Sequence, residues 1–398
     1  MNESSTIPGD RPPAAIPSRR ILVGIYLAVT FLYFMSLYLY MPTLPTYVAA
    51  KTDDLALVGV ILAQFGLWQA IIRLPLGIAT DWLGKRKMFI MIGLALAGAG
   101  AWVMGSAESS TGLLIGRAIT GVAAATWVPL TVVFSSLFPA QEAIRATAIQ
   151  AFVGSLGRVT GTSVTGSLNQ LGGYSLAFTL AVGVAMVAAV LMLPAREKAQ
   201  PTRRPSVAGI RRLITRRDVL LPSLLAAVSQ YANWAATFGF MPILAEGLGA
   251  TDVMLSLLVS MHIGVVIITN LGAAGLVNRM GARRLALIAF VLLSGGIGLA
   301  ALAPSLTGIF VAQFLIAVSQ GISYPVLMGM SIRDVADAQR NTAMGLHQSV
   351  YAMGMFAGPW LSGLLADAIG IRPMFGATAI ACLTAGVFLI RLLPPKKK

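Results

Sequence analysis

Apolar stretches long enough to cross a bilayer follow one another along almost the whole chain, and that succession constrains the fold more than any motif. They cover residues 20–46, 55–79, 86–106, 110–137, 143–169 and 173–194, then 218–246, 251–277, 283–303, 305–333, 338–368 and 372–393. A helix needs about 20 apolar residues to cross a hydrocarbon core of about 30 Å. A strand at that depth would leave backbone groups unpaired, so helices are expected. Charged residues make up 11% of the chain, against about 25% in soluble domains. Too little polar surface remains to face water on all sides. The spacing predicts an all-α membrane protein of twelve helices. A six-helix bundle over residues 20–194 and another over 218–393 are joined by a hydrophilic cytoplasmic linker over 195–217. Residues 1–19 read as a disordered cytoplasmic tail, not a signal peptide, and residues 394–398 as a basic cytoplasmic tail.

The net charge of +15 is unevenly placed. With the N-terminus inside, the lysines and arginines collect on the cytoplasmic side, at Arg19, Arg20, Lys85–Lys87, the linker, Arg279, Arg283, Arg284 and the C-terminal lysines. Lys51 and Arg372 fall on the other side, and Arg73, Arg117 and Arg158 lie within spans. By the positive-inside rule both termini are cytoplasmic, in a multi-pass protein of the inner membrane. The charge is then an orientation signal with affinity for anionic lipid headgroups, and no nucleic acid is expected as a partner. One cysteine, Cys382, excludes an internal disulfide, and with two histidines there is no basis for a metal cage. No metal or other cofactor is expected. The absence of a GxxxxGK[ST] loop and of a soluble catalytic domain argues against ATP-driven transport and against an enzyme.

The halves repeat each other. Asp81-Trp82-Leu83-Gly84-Lys85-Arg86, after the second span, answers Asn278-Arg279-Met280-Gly281-Ala282-Arg283, after the eighth. At the same offset Gly157, Gly161, Gly166, Gly173 and Phe178 answer Gly354, Gly358, Gly363, Gly370 and Phe375. Many secondary transporters are built from such a duplication, with the substrate site between the repeats.

Gly77-x-x-x-Asp81-x-x-Gly84-Lys85-Arg86-Lys87 resembles the signature that the major facilitator superfamily carries between its second and third helices. Arg117-x-x-x-Gly121 is similar to the fourth-helix signature of its proton-linked drug antiporters. Gly354-x-x-x-Gly358-Pro359-x-x-x-Gly363 resembles their glycine–proline motif. The family places that motif in helix five, where this chain has Gly157 and Gly161 without the proline; Trp82 also replaces a usual basic residue. The resemblance implies two pseudo-symmetric bundles, alternating access, and a monomer that exports a drug or metabolite in exchange for protons. Import or facilitated diffusion of organic anions or zwitterions on the same fold is the alternative. It also implies a cytoplasmic gate at Gly77, Asp81, Gly84, Lys85 and Arg86, in which the Asp81 carboxylate meets the positive end of helix eleven. Gly354, Gly358, Pro359 and Gly363 would serve conformational exchange.

A cation at mid-bilayer costs about 2.5–3.5 kcal/mol on insertion scales, so such residues face a cavity or a partner. Arg117 and Arg158 are therefore expected in a cavity, whereas Arg73, nearer the cytoplasmic end of its span, is expected to snorkel to the headgroups. Every Asp and Glu falls in a loop or at a helix end, and the first span carries Tyr26, Tyr33, Tyr40 and Tyr47 but no acid. Arginines without a mid-membrane carboxylate favour anionic or zwitterionic substrates over lipophilic cations. Proton coupling would then fall to Arg117, His262, His347, Glu246 or Asp367. In the family, helices one, four, seven and ten line the path. The expected substrate contacts on them are Tyr33, Tyr40, Arg117, Trp127, Gln230, Asn233, Trp234, Gln320 and Tyr324, joined by Arg158. For the amides, hydrogen bonding between helices is the alternative role.

Overall fold

The computed structural model describes residues 18–139, 141–195, 197, 213 and 215–393. Both terminal tails, most of the linker and the Asp81 side chain, on which part of the gate expectation rests, lie outside the described residues. Among those described there is no strand. The first half comprises α1 (Arg19–Tyr38), α2 (Leu44–Ala49), α3 (Leu55–Leu83), α4 (Arg86–Gly105), α5 (Ser110–Ala125), α6 (Trp127–Ser136) and α7 (Ala143–Met192). The second comprises α8 (Arg217–Ala235), a π-helical turn (Ala236–Phe240), α9 (Met241–Gly247), α10 (Asp252–Met280), α11 (Ala282–Leu302), α12 (Leu306–Ile332), α13 (Asp337–Ile369) and α14 (Ile371–Leu392). Local chemistry sets the ends. The Asp54 carboxylate accepts the Leu57 N–H at 2.9 Å and caps α3. Gly84, at φ 62°, closes the same helix in the left-handed conformation that glycine adopts without strain.

Among the described residues, ten stretches are long and apolar enough to cross a membrane. One of them, Arg145–Met192, has 48 residues, and α7 breaks within it at Gly172 and Gly173, where φ reaches 68°. Its two legs therefore count as separate crossings. Ser223, Ser229, Gln230 and Asn233 make α8 too polar to register as an apolar span, and the π turn and α9 extend its path. This is the arrangement a twelve-crossing reading requires.

Glycines show where helices touch. A Cβ at Gly157 or Gly161 of α7 would strike the α1 backbone at Phe31 or Met35, and one at Gly354 or Gly358 of α13 would strike the α8 backbone at Ala227 or Tyr231. These are equivalent contacts within each repeat. Between the halves, Gly59 of α3 lies against Pro359 and Gly363 of α13, Gly66 lies against Met355, and Gly166 of α7 lies against Asp252 of α10. The expected conformational motif is thus divided. Gly354 and Gly358 join helices inside the second bundle, while Pro359 and Gly363 sit on the seam between bundles.

The seam does not run the full length. Continuing the antiparallel register of α3 and α13 would bring Gly77 opposite Gly345, and that of α7 and α10 would bring Arg158 opposite Gly264. Among the described residues, no atom of another helix lies within 4 Å of a Cβ built at Gly77, Gly345 or Gly264. The bundles meet at the end carrying α2 and α9, the far end, and part toward the end carrying Lys85–Lys87, the basic end.

Candidate functional site: a cleft between the bundles

The closed part of the seam is polar as well as tight. Thr162 and Ser260 share a hydrogen bond of 2.7 Å, and the Ser163 hydroxyl donates to Ser260 at 3.2 Å. The Gly166 N–H donates to Ser256 at 2.6 Å. At the rim, Asn169 Nδ2 donates to Thr43 Oγ1 at 3.0 Å and to Asp252 Oδ2 at 2.9 Å. The serine and threonine hydroxyls and the Gly166 backbone keep these groups small, which permits close approach of the helices in a low-dielectric setting. Asn169→Ala should weaken this closure by about 1–3 kcal/mol, the cost of leaving buried partners unsatisfied. A cysteine placed at Ser256, buried in the seam, should then label faster from the far side than in the parent background. Equal labelling would show that these bonds do not hold the seam.

One turn below Thr162, where the bundles begin to part, stands Arg158. Its guanidinium lies 3.9 Å from the centroid of the Phe34 ring and 5.6 Å from that of Tyr38, both on α1, and its Nε has no hydrogen-bond partner. Arg73 reaches the same place from α3. Its Nη2 donates to Gln69 Oε1 at 2.5 Å, and its Nε is also without a partner. It lies within electrostatic range of Arg158, Tyr33, Tyr324 and Tyr351. The expectation that Arg73 snorkels to the headgroups is therefore overturned. Gly59, Gly66 and Arg73 recur every seven residues, two helical turns, and so share a face. The face that touches α13 at the glycines meets the open cleft at the arginine. From the second bundle, Tyr324 of α12 and Tyr351 of α13 meet edge to face at 6.1 Å, and Tyr324 is 41% exposed although it lies deep within its helix.

An aromatic floor separates this cleft from the far end. Phe65 of α3 stacks on Trp234 of α8 at 5.4 Å, and Trp234 meets Phe238 at 4.8 Å. Arg117 lies behind that floor, 1% exposed, with its guanidinium 4.3 Å from the Phe65 centroid and Nε and Nη1 unpartnered. It faces the ring and not the cleft.

The other expected contacts divide. The Tyr33 hydroxyl donates to the Ala123 carbonyl at 2.8 Å and sits beside the arginines. Trp127 meets Phe34 at 4.9 Å. Tyr40 stacks on Phe178 at 4.9 Å, inside the first bundle and away from the cleft. Gln230 donates to Gln320 at 3.0 Å, and Gln320 donates to the Ser229 carbonyl at 3.0 Å, so these amides bond helices α8 and α12 to each other. Asn233 accepts from Thr237 at 3.2 Å. His262 is buried beside Phe238, and the fully buried His347 has its Nδ1 3.1 Å from Ser223. Glu246 and Asp367 lie near the ends of α9 and α13. At the basic end Lys85 is exposed and Arg86 is buried. Arg73, Tyr351 and Phe65 are the cleft residues that span-by-span reading missed. The heptad Gly59–Gly66–Arg73 was the signal available for the first.

Two helical bundles related by an internal repeat, with a cation-bearing cleft between them, define a membrane transport protein. The chain belongs to the Major Facilitator Superfamily, whose sequence profile matches residues 26–232 and 223–398. It is 21% identical over 338 residues to an MFS-type transporter of Methanocaldococcus jannaschii, covering 83% of this chain and 87% of the relative. It is 24% identical to the quinolone resistance protein NorA of Staphylococcus aureus, covering 90% and 93% of the two chains. Among solved structures, a bacterial homolog of the human lysosomal transporter Spinster, inward-facing and unoccupied, superposes with a TM-score of 0.77 at 15% identity, over 95% of this chain and 97% of that one.

Proposed function

We propose that this protein is a secondary active exporter that carries a small molecule across the inner membrane by alternating access, driven by proton exchange. One observation carries the reading: the cleft is closed by a tight seam at one end and open at the other, with its polar residues where the seam begins. By the positive-inside rule the basic end is cytoplasmic, so the cleft faces the cytoplasm, with both termini on that side. Rocking the bundles would separate Gly59 from Gly363 and bring Gly77 toward Gly345, with Asp81 as the cytoplasmic latch. Export is supported by the likeness to NorA and by Arg117-x-x-x-Gly121 and the glycine–proline motif. The groups available to carry coupling protons are His262, His347, Glu246 and Asp367, with Arg117 as a fixed charge beside the path.

The test is flux by the purified protein in proteoliposomes under an imposed pH gradient, with anionic, zwitterionic and cationic compounds. Gradient-driven movement of a compound, with compensating proton movement, is the expected result. Movement indifferent to the gradient overturns the coupling, and no movement of any compound overturns the reading as a transporter.

A further inference from the structure

We infer that the molecule this cleft binds is an organic anion with a flat aromatic body, its acidic group held between Arg73 and Arg158 and its ring laid against Tyr324 and Tyr351. The inference rests on the transporter reading above and names the substrate class of that site.

The α7–α10 seam is hydrogen-bonded through Thr162 and Ser260, and Arg158 is the next position on that face of α7. Arg73 continues the face of α3 that carries Gly59 and Gly66. Both cations thus stand at the apex of the cleft, where a molecule entering from the basic end stops.

Each arginine has only a partial solution to its own burial. Arg158 rests on Phe34, Arg73 donates to Gln69, and the Nε of each has no partner. Among the described residues no carboxylate stands at this depth: Asp218 and Asp252 open α8 and α10, and Glu246 and Asp367 lie in the last turns of α9 and α13. Two like charges within electrostatic range of each other in a low-dielectric cleft attract an anion and repel a cation. A guanidinium also offers a planar fork of donors that matches a carboxylate, sulfonate or phosphonate.

The third observation is an asymmetry. Both cations belong to the first bundle, whereas the second bundle contributes two tyrosines, one of them open to the cleft. A ligand with an acidic end and an aromatic end therefore bridges the bundles, and aromatic faces meet Tyr324 and Tyr351 in offset or edge-on geometry. Such a ligand draws the bundles together across the cleft from its apex, as occlusion before release to the far side requires.

Binding is measured on the purified full-length protein by calorimetry, independently of flux. The probes are 2-naphthoate, naphthalene-2-sulfonate, a short aliphatic carboxylate and 2-naphthylmethylammonium, in nanodiscs of neutral lipid with and without anionic lipid. The naphthalene anions should bind saturably and the ammonium should not. Arg73→Gln and Arg158→Gln should each weaken anion binding by about 10- to 100-fold, the range for a lost charge-assisted hydrogen bond. Arg158→Lys should fall between. Tyr324→Ala with Tyr351→Ala should weaken the naphthalene anions while leaving the aliphatic anion unchanged. Unchanged thermal stability and monodispersity show that a variant is folded. The inference is overturned if the ammonium binds at least as well as the anions, if no anion binds, or if both Gln variants bind like wild type. Competitive displacement of the anions by anionic lipid would assign the arginines to a headgroup and would also overturn it. Anion binding without flux would leave the inference standing and fail the transporter reading instead.

Discussion

Gly363→Val should leave the fold intact and reduce transport at least about fivefold by opening the far end of the seam. A Cβ built at Gly363 lies 2.8 Å from the Gly59 Cα and 2.9 Å from the Leu55 carbonyl oxygen. Both are backbone atoms of the opposite bundle, so no side-chain rotation relieves the clash. Overpacking costs about 1–3 kcal/mol, and each 1.4 kcal/mol is tenfold in an equilibrium between states. The far-end-closed state should therefore lose about five- to a hundredfold in population. Spin labels on α3 and α13 near the far end should report a longer distance in the variant. Gly354→Val supplies the contrast. Its Cβ meets the Ala227 backbone within one bundle, so that variant should lose thermal stability without changing the distance between bundles. If Gly363→Val leaves both distance and flux unchanged, the seam is not the moving contact.

Arg117→Met should separate stability from activity. The guanidinium is 1% exposed with two unpartnered nitrogens, and the Phe65 ring is its evident stabilising contact. A buried arginine in a bilayer costs about 2.5–3.5 kcal/mol, and a desolvated cation–π contact returns about 2 kcal/mol. Methionine fills much of the space without the charge. The melting temperature of the purified variant should stay level or rise by a few degrees, while flux falls at least about tenfold. The fall is expected because a charge retained at a net cost in stability points to function. A drop of several degrees would instead make Arg117 a structural tie between helices. Arg158→Met, in the open cleft, should lower flux with little change in stability.

The two arginines show how far linear reasoning reaches. Both were legible as intramembrane cations, because insertion energetics depend on depth and depth follows from position along a span. Their surroundings were not. Arg158 lies where the bundles part and Arg117 behind an aromatic ring, a difference set by which helix faces which. Arg73 was misread for the same reason. Distance from the helix end favoured the headgroups, while the face shared with Gly59 and Gly66 turned it inward. Gln230 and Gln320, expected on the path, satisfy each other at 3.0 Å, since buried amides 90 positions apart pair only once α8 and α12 are side by side.

The sequence by itself determined the spans, the repeat and the asymmetric placement of basic residues. A bilayer admits only structures that satisfy their own backbone, and it sorts lysine and arginine by side. Tertiary structure alone decided which glycines form the seam, which arginines meet in the cleft and at which end the bundles part. Helical spacing defines the face of a helix but not the surface opposite it, and where two bundles touch or part is decided by that opposite surface.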